Sequence, residues 1–364
     1  MGKKVSMQQI ADMVGLSKYA VSKALAGKGG VSAKTRERII ETATQLGYFK
    51  QQKAKRSAGE KPKPSAAASA GTGHGFEAGD RAVVAVLMPN VRLQNMESGF
   101  WSVIVNGIGY ALSRLNLGML ILTEQTAEHL ETLLKPERLI GVIGVGEIST
   151  PMLLEVQRLG LPFVLTDHED PLVPSDAIFA SNMDSMAALT GHLLALGHRS
   201  FWFLGDVGFS RSFADRWLGF RKTLEEQGIA VNLLTDRLPL SGTDREGNIR
   251  FLERKLDELA AERLSWPTAW VCANDEIALA ALAVLEEKGI SVPGEVSVTG
   301  FDNIGESQQA SVPLTTVHVK KVQLGERAVA ALLERAREPD KPFEKISLAC
   351  ELVIRSSAAG GREA

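Results

Sequence analysis

The chain has 364 residues, with 41 Lys+Arg against 43 Asp+Glu and a formal charge of −2. That length exceeds one ordinary compact domain, so two or three are expected, and an apolar fraction of 45% supports a real core. No apolar run has the length of a membrane span and no signal-peptide pattern opens the chain. Cys272 and Cys350 match no metal spacing and read as buried free thiols, so the cytoplasm is the expected compartment and no membrane partner is expected.

In chain order, Val5 to Tyr48 comes first and carries three short helical patterns. Ser6 stands as N-cap of a helix from Met7 to about Val14, whose Met7, Ile10, Ala11 and Val14 fall on one stripe. Gly15 ends it, and Ser17 caps a second helix with Ala20, Val21, Ala24 and Leu25 inward. Two helices joined by so tight a turn predict a helix-turn-helix, which places its second helix in the DNA major groove. Lys18, Tyr19, Ser22 and Lys23 then face outward, where Lys can donate to guanine and Tyr or Ser to bases or phosphates. Ser32 caps a third helix with Ile39, Ile40, Ala43 and Leu46 as its buried stripe, stopped by Gly47. A plain three-helix bundle with a solvated charged face is the bland alternative. Charge distribution speaks against it. Residues 1–64 hold 14 Lys+Arg and 4 Asp+Glu, a balance of +10, while the other 300 hold 27 and 39, a balance of −12. A basic head on an acidic body is an electrostatic footprint for a polyanion.

Lys50 to Lys63 is polar and basic, and Pro62 to Asp80 is rich in Ala, Gly, Ser and Pro, which predicts a flexible linker. From Arg81 strands and helices alternate. Strand candidates are Val83–Met88, Met119–Leu122, Leu139–Val145, Pro162–Thr166, Ala177–Ala180, Phe201–Leu204, Thr268–Cys272 and Val296–Phe301. Helix patterns cover about 100–115, 184–196, 213–227 and 275–288. The alternation predicts an α/β fold with parallel, doubly wound sheets, too many strands for one small sheet, and hence two similar lobes with a ligand crevice at the strand carboxyl ends. Asp167-His168-Glu169-Asp170 invites a metal reading, but adjacent loop residues rarely converge on one ion. Gly141 to Gly146 resembles a dinucleotide fingerprint only loosely and lies inside a strand pattern. No cofactor, metal or catalytic constellation is expected, so an enzyme is not.

With these elements in place the chain resembles the lactose-repressor family of bacterial transcription regulators. The residues that carry the likeness are IADMVGLSKYAVSKALAGKGGVSAKTRERI at the head, LLALGHRSF at 193–201, SFADRWLGF at 212–220, CANDEIALAALAVLEEKGISVPGEVSVTGFDN at 272–303 and PLTTV at 313–317. The resemblance implies a helix-turn-helix head over 1–49, a hinge and linker over 50–80, and a periplasmic-binding-protein-like core over 81–358. Its first lobe would take about 81–181 and 320–345, its second about 182–318 and 346–358. It also implies a homodimer on a palindromic operator DNA, with a small effector, a sugar or sugar derivative, shifting operator affinity.

Carried onto this chain, the base readers are Lys18, Tyr19 and Lys23, with Ser17, Ser22, Ser32 and Thr35 as phosphate contacts near helix starts. The implied effector positions are Phe100, Trp101, Asp167, Ser212, Arg216 of the Arg-x-x-Gly motif, Asn274 and Asp302, with Trp217 as a further stacking surface. Bland alternatives stand beside these. Asn274 or Asp275 caps a helix, Asp302-Asn303 forms an Asx turn, Arg216 makes a surface ion pair, and Phe100 and Trp101 are packing. One departure concerns the hinge. The family pattern Asn-x-x-Ala-Arg-x-Leu meets QQKAKRS at Gln51 to Ser57, so Ser57 stands where an apolar minor-groove wedge is usual. Lys53, Lys55 and Arg56 would then hold phosphates or line the groove electrostatically. The tail Ser356 to Ala364 has no heptads, so a tetramerising coiled coil is not indicated. Two other functions compete: a small-molecule binding protein with a vestigial head, against which the intact reading positions speak, and an enzyme fused to a DNA-binding head.

Overall fold

The structure, a computed structural model, describes residues 6–25, 32–46, 82–89, 98–127, 130–134, 136–232 and 235–361. The expectations for Lys53, Lys55, Arg56 and the linker lie outside the described residues.

The head comprises α1 (Met7–Val14), α2 (Lys18–Leu25) and α3 (Ala33–Gln45). Ser6 Oγ accepts from the Gln9 amide at 3.3 Å and the Gln9 side chain accepts from the Ser6 amide at 2.8 Å. This reciprocal pair satisfies two donors that a helix start leaves bare. Gly15 closes α1 at φ 68°, where a side chain would be strained. Ser17 Oγ and Ser32 Oγ accept from the amides of Ala20 and Thr35, at 3.2 and 3.1 Å, and so start α2 and α3. Ile10, Ala11, Val14, Val21, Ala24, Ile39 and Ala43 close the small core. Ile40 departs from the expected stripe: it packs with Val103 and Val322 of the body instead. Neighbouring helical residues point about 100° apart, so Ile39 and Ile40 serve two different surfaces.

The body contains two parallel sheets. The first has the order β11-β5-β4-β3-β1-β2, from β1 (Val83–Leu87), β2 (Gly118–Leu122), β3 (Leu139–Val145), β4 (Phe163–Thr166), β5 (Asp176–Ala180) and β11 (Lys345–Leu348). Its helices are α4 (Trp101–Arg114), α5 (Leu130–Leu133), α6 (Thr150–Arg158) and, arriving late in the chain, α12 (Lys321–Arg337). The second sheet, β7-β6-β8-β9, is built from β6 (Phe201–Leu204), β7 (Arg237–Leu238), β8 (Ala269–Cys272) and β9 (Ser297–Thr299). Its helices are α7 (Asn182–Ala195), α8 (Arg211–Glu226), α9 (Arg245–Glu262), α10 (Asp275–Glu287) and α11 (Gly305–Gln309). An antiparallel ribbon joins β10 (Thr316–His318) to β12 (Glu351–Val353). Strands β4, β5, β6 and β8 are buried along their whole length, as sheets covered by helices on both faces require.

The chain passes between the sheets after β5, between β10 and α12, and between β11 and β12. Because β11 pairs in register with β5 through Leu348, the last passage follows Leu348 rather than coming at 346. Helices α4 and α12 touch backbone to backbone. A Cβ at Gly107 would lie 2.4 Å from the Val322 carbonyl oxygen, and one at Gly325 would lie 2.3 Å from that of Ile104. Cys272 is buried as expected, whereas Cys350 is only half-buried. Among the described residues no helix is long and apolar enough to cross a membrane.

Candidate functional site

The strand carboxyl ends of both lobes open on one cavity of about 660 Å³. Phe100, Trp101, Asp167, Ser212, Arg216, Asn274 and Asp302 all line it. Topology accounts for the convergence. Asp167, Asn274 and Asp302 follow β4, β8 and β9, while Ser212 and Arg216 sit one turn apart on α8. Asp167 and Asp302 both adopt positive φ, 57° and 107°, at these strand exits.

A chain of hydrogen bonds crosses the cavity wall from one lobe to the other. Ser212 Oγ donates to Asp167 across the lobes, and Asn182 Nδ2 donates to Ser212 Oγ at 3.1 Å. Arg216 is 2% exposed. Its Nε donates to Asn182 Oδ1 at 2.9 Å, Nη1 to the Ala273 carbonyl at 2.7 Å and Nη2 to Asp302 Oδ1 at 3.1 Å. The guanidinium also lies 3.8 Å from the ring centre of Phe301 and 5.6 Å from that of Phe213. Such a fixed planar fork organises the groups around it. Gly219, the end of the Arg-x-x-Gly motif, has a backbone role: a Cβ there would lie 2.2 Å from the Met183 carbonyl oxygen. Its absence lets α8 lie against α7 and brings Arg216 to Asn182. Arg211 bridges to Glu169 of the first lobe and to Asp215 on its own helix.

Burial pushes the Asp167 carboxyl up to about 6, against the opposing pull of Arg216 and the Ser212 hydroxyl. Burial also raises Asp302, more than Arg216 and Lys321 lower it. Asn274 is the N-cap of α10, accepting from the Ile277 amide at 3.0 Å, and its Nδ2 donates to the Gly242 carbonyl at 2.8 Å. Asp275 therefore is not the cap. It is fully buried, accepting from the Ile304 amide at 2.8 Å and from Thr316 Oγ1 at 2.6 Å. The Asp302 carboxylate is engaged by Arg216, and Arg216 pairs in the interior rather than at the surface. Phe100 and Trp101 are half-buried and meet edge to face, ring centres 4.8 Å apart. Trp217 does not join them. It is buried between Phe203 and Phe220, because its place on α8 turns it toward the sheet.

The acidic run after β4 disperses to separate partners. His168 Nε2 lies 3.0 Å from the Ile148 carbonyl, Glu169 meets Arg211 and Lys345, and Asp170 accepts from Thr150 and the amides of Leu172 and Val173. Among the described residues no group of three or more His, Cys, Asp or Glu is arranged to hold a metal. The sequence reading missed Asn182, Arg211 and Glu276 as cavity or network residues. The rule that ligands gather at strand carboxyl ends, applied to β5, would have pointed to Asn182.

On the head, Ser17, Lys18 and Tyr19 are exposed, and Ser22 and Lys23 partly so. Lys23 Nζ sits 5.0 Å from the centre of the Tyr19 ring, which groups two of the predicted readers. Ser32 and Thr35 share one hydrogen bond at 2.7 Å, so between them one hydroxyl hydrogen is left to donate outward.

Residues 6–51 match the family described as bacterial regulatory proteins, lacI family, and residues 190–358 match the periplasmic binding protein-like domain. A transcriptional repressor of Glaesserella parasuis, PurR, is 31% identical over 245 residues, covering 64% of this chain and 68% of its own. The transcriptional regulator DegA of Bacillus subtilis is 26% identical over 98% of both chains. A LacI family regulator of Enterococcus faecium, solved with bound ribose, superimposes with a TM-score of 0.65 at 25% identity, over 77% of this chain and all of that one. A helix-turn-helix head joined to a two-lobed binding core, with likenesses along both parts, leads to one conclusion: the chain belongs to the lacI family, and is a DNA-binding transcriptional regulator rather than an enzyme.

Proposed function

We propose that this regulator is a repressor that works in the cytoplasm, binding a palindromic operator as a homodimer, and that a sugar or sugar derivative in the cleft shifts its operator affinity. The observation that carries the reading is Lys321, a lysine only 1% exposed. Its Nζ donates to the Asp302 carbonyl at 2.6 Å, inside the cleft wall, and lies 3.5 Å from Glu41 of α3 in the head. Cleft and head thus share one buried cation, so a ligand that moves the Asp302 loop changes what holds the head. The ribose-bound relative supports a sugar in the cleft, and the PurR relatives support repression.

In this reading Lys18, Tyr19 and Lys23 read base edges, while Ser17, Ser22, Ser32 and Thr35 hold phosphates. Lys53, Lys55 and Arg56 add phosphate contacts in place of an apolar hinge wedge. Phe100 and Trp101 offer apolar faces to a sugar ring, and Asp167, Ser212, Arg216, Asn274 and Asp302 bracket its hydroxyls. One head has a small footprint; a two-fold dimer doubles it on half-sites about one helical turn apart. The test is selection of binding sites from a random duplex pool by the full chain. Enrichment of one two-fold symmetric sequence supports the reading. A pool that stays random, with retention set by salt alone, contradicts it.

A further inference from the structure

We propose that the cleft is built for an uncharged, hydroxyl-rich effector and excludes phosphorylated and carboxylated sugars. The inference rests on the cleft being the effector site. Five carboxylates line the cavity, Glu147, Asp167, Glu169, Glu276 and Asp302, against two arginines, Arg211 and Arg216.

Both arginines are already paired with carboxylates of the wall or beside it. Arg216 gives its Nη2 to Asp302 and its other nitrogens to Asn182 and the Ala273 carbonyl. Arg211 is held between Glu169 and Asp215. Further cations lie behind the carboxylates: Lys345 on Glu169 and Arg245 on Glu276. The compensating positive charge is therefore spent on the wall itself. The N-terminus of α8 would ordinarily attract an anion. Here Glu169 and Asp215 flank its first turn through Arg211, and Asp167 takes the Ser212 hydroxyl.

Hydrogen-bond chemistry points the same way. An ionised carboxylate only accepts, so a wall with an excess of carboxylates asks its ligand for donors. A sugar hydroxyl donates to Asp167 or Glu276 and can accept from the Asn274 amide. A phosphate or a carboxylate brings further acceptors and further negative charge, and like charges across a partly buried site repel strongly. A protonated amine in place of one hydroxyl keeps the donors and adds a favourable charge.

The experiment is a thermal shift of the full chain against matched probes: D-ribose with ribose 5-phosphate, and D-glucose with glucose 6-phosphate, glucuronate and glucosamine. The expected result is that a neutral sugar raises the melting temperature, that its amine does so at least as well, and that its phosphate or carboxylate needs at least about a hundredfold higher concentration for the same shift. Glu169→Gln, which removes one wall charge and leaves Arg211 with Asp215 as its one remaining carboxylate, should narrow that gap; an unchanged gap would overturn the proposed exclusion of anions. A phosphate or uronate acting at concentrations where the neutral sugar is silent overturns the inference while leaving a sugar cleft in place. Silence from every probe removes the sugar reading, and this inference with it.

Discussion

Replacing Asp275 by Asn should make the protein more stable at neutral and alkaline pH, and the size of the effect follows from the site. Burial, reinforced by the nearby charge of Asp302, pushes the Asp275 carboxyl up from 3.8 to about 7, against the hydrogen bonds from Thr316 and the Ile304 amide and the pull of Lys321. Between about pH 4 and 7 the unfolded chain releases this proton while the folded chain keeps it. The folded state then binds more protons, so stability falls as pH rises, by about 1.4 kcal/mol per pH unit. Above pH 7 the folded protein carries the full penalty, about 4 kcal/mol for a shift of about 3 units. Asparagine resembles the neutral acid: its oxygen can accept from the Ile304 amide and its NH2 can donate to Thr316 Oγ1, without ionising. The Asp275→Asn variant should therefore match the wild type within about 1 kcal/mol at pH 4.5 and exceed it at pH 8, the difference growing by about 3 kcal/mol between the two. Urea unfolding read through tryptophan emission is the assay, since Trp270 is fully buried. A difference that does not change with pH, or a variant less stable at pH 8, would refute the reasoning.

Three further outcomes are expected. Gly219→Ala drives a methyl into the Met183 carbonyl, 2.2 Å away; it should cost about 1–3 kcal/mol in urea unfolding, and a silent substitution would remove the close α7–α8 approach. Arg216→Lys keeps the charge but loses the three-nitrogen fork; about 2–3 kcal/mol of stability and the sugar-dependent thermal shift should go together, whereas a retained shift would take Arg216 out of the site. Lys18→Ala should relax base discrimination at one position of each half-site by about 1–3 kcal/mol in competition binding; equal weakening on all DNA would make Lys18 a phosphate contact instead.

Much of this organisation was legible because local chemistry decides it. The caps Ser6, Ser17 and Ser32 and the stop at Gly15 act within a few residues of themselves. The central strands are uninterrupted apolar runs. The cleft residues were reachable because ligands gather where strands end, and Asn274, Asp302 and Arg216 stand in recognisable motifs. What escaped depends on contacts distant in sequence or on weak patterns. Helix α9 carries Leu252, Leu256 and Leu259 on one side, but its many charges dilute the signal. Strand β11 lies beside β5 through pairs such as Ile346 with Ile178, which no local window can see. Asn182 looks like an ordinary helix start until Arg216 is brought to it. Ile40 reads as head core and Trp217 as a stacking surface, because periodicity gives a direction on a helix and not what lies there.

The most direct measurement is operator affinity of the full chain, by fluorescence anisotropy on its selected palindrome, with and without the sugar that raises its melting temperature. The sugar should change operator affinity at least about fivefold, within the usual range for coupled sites. Lys321→Met, which removes the cation shared by Asp302 and Glu41, should abolish the change while sugar binding persists. A sugar that binds the cleft and leaves operator affinity untouched in the wild type would contradict the coupling of cleft to head.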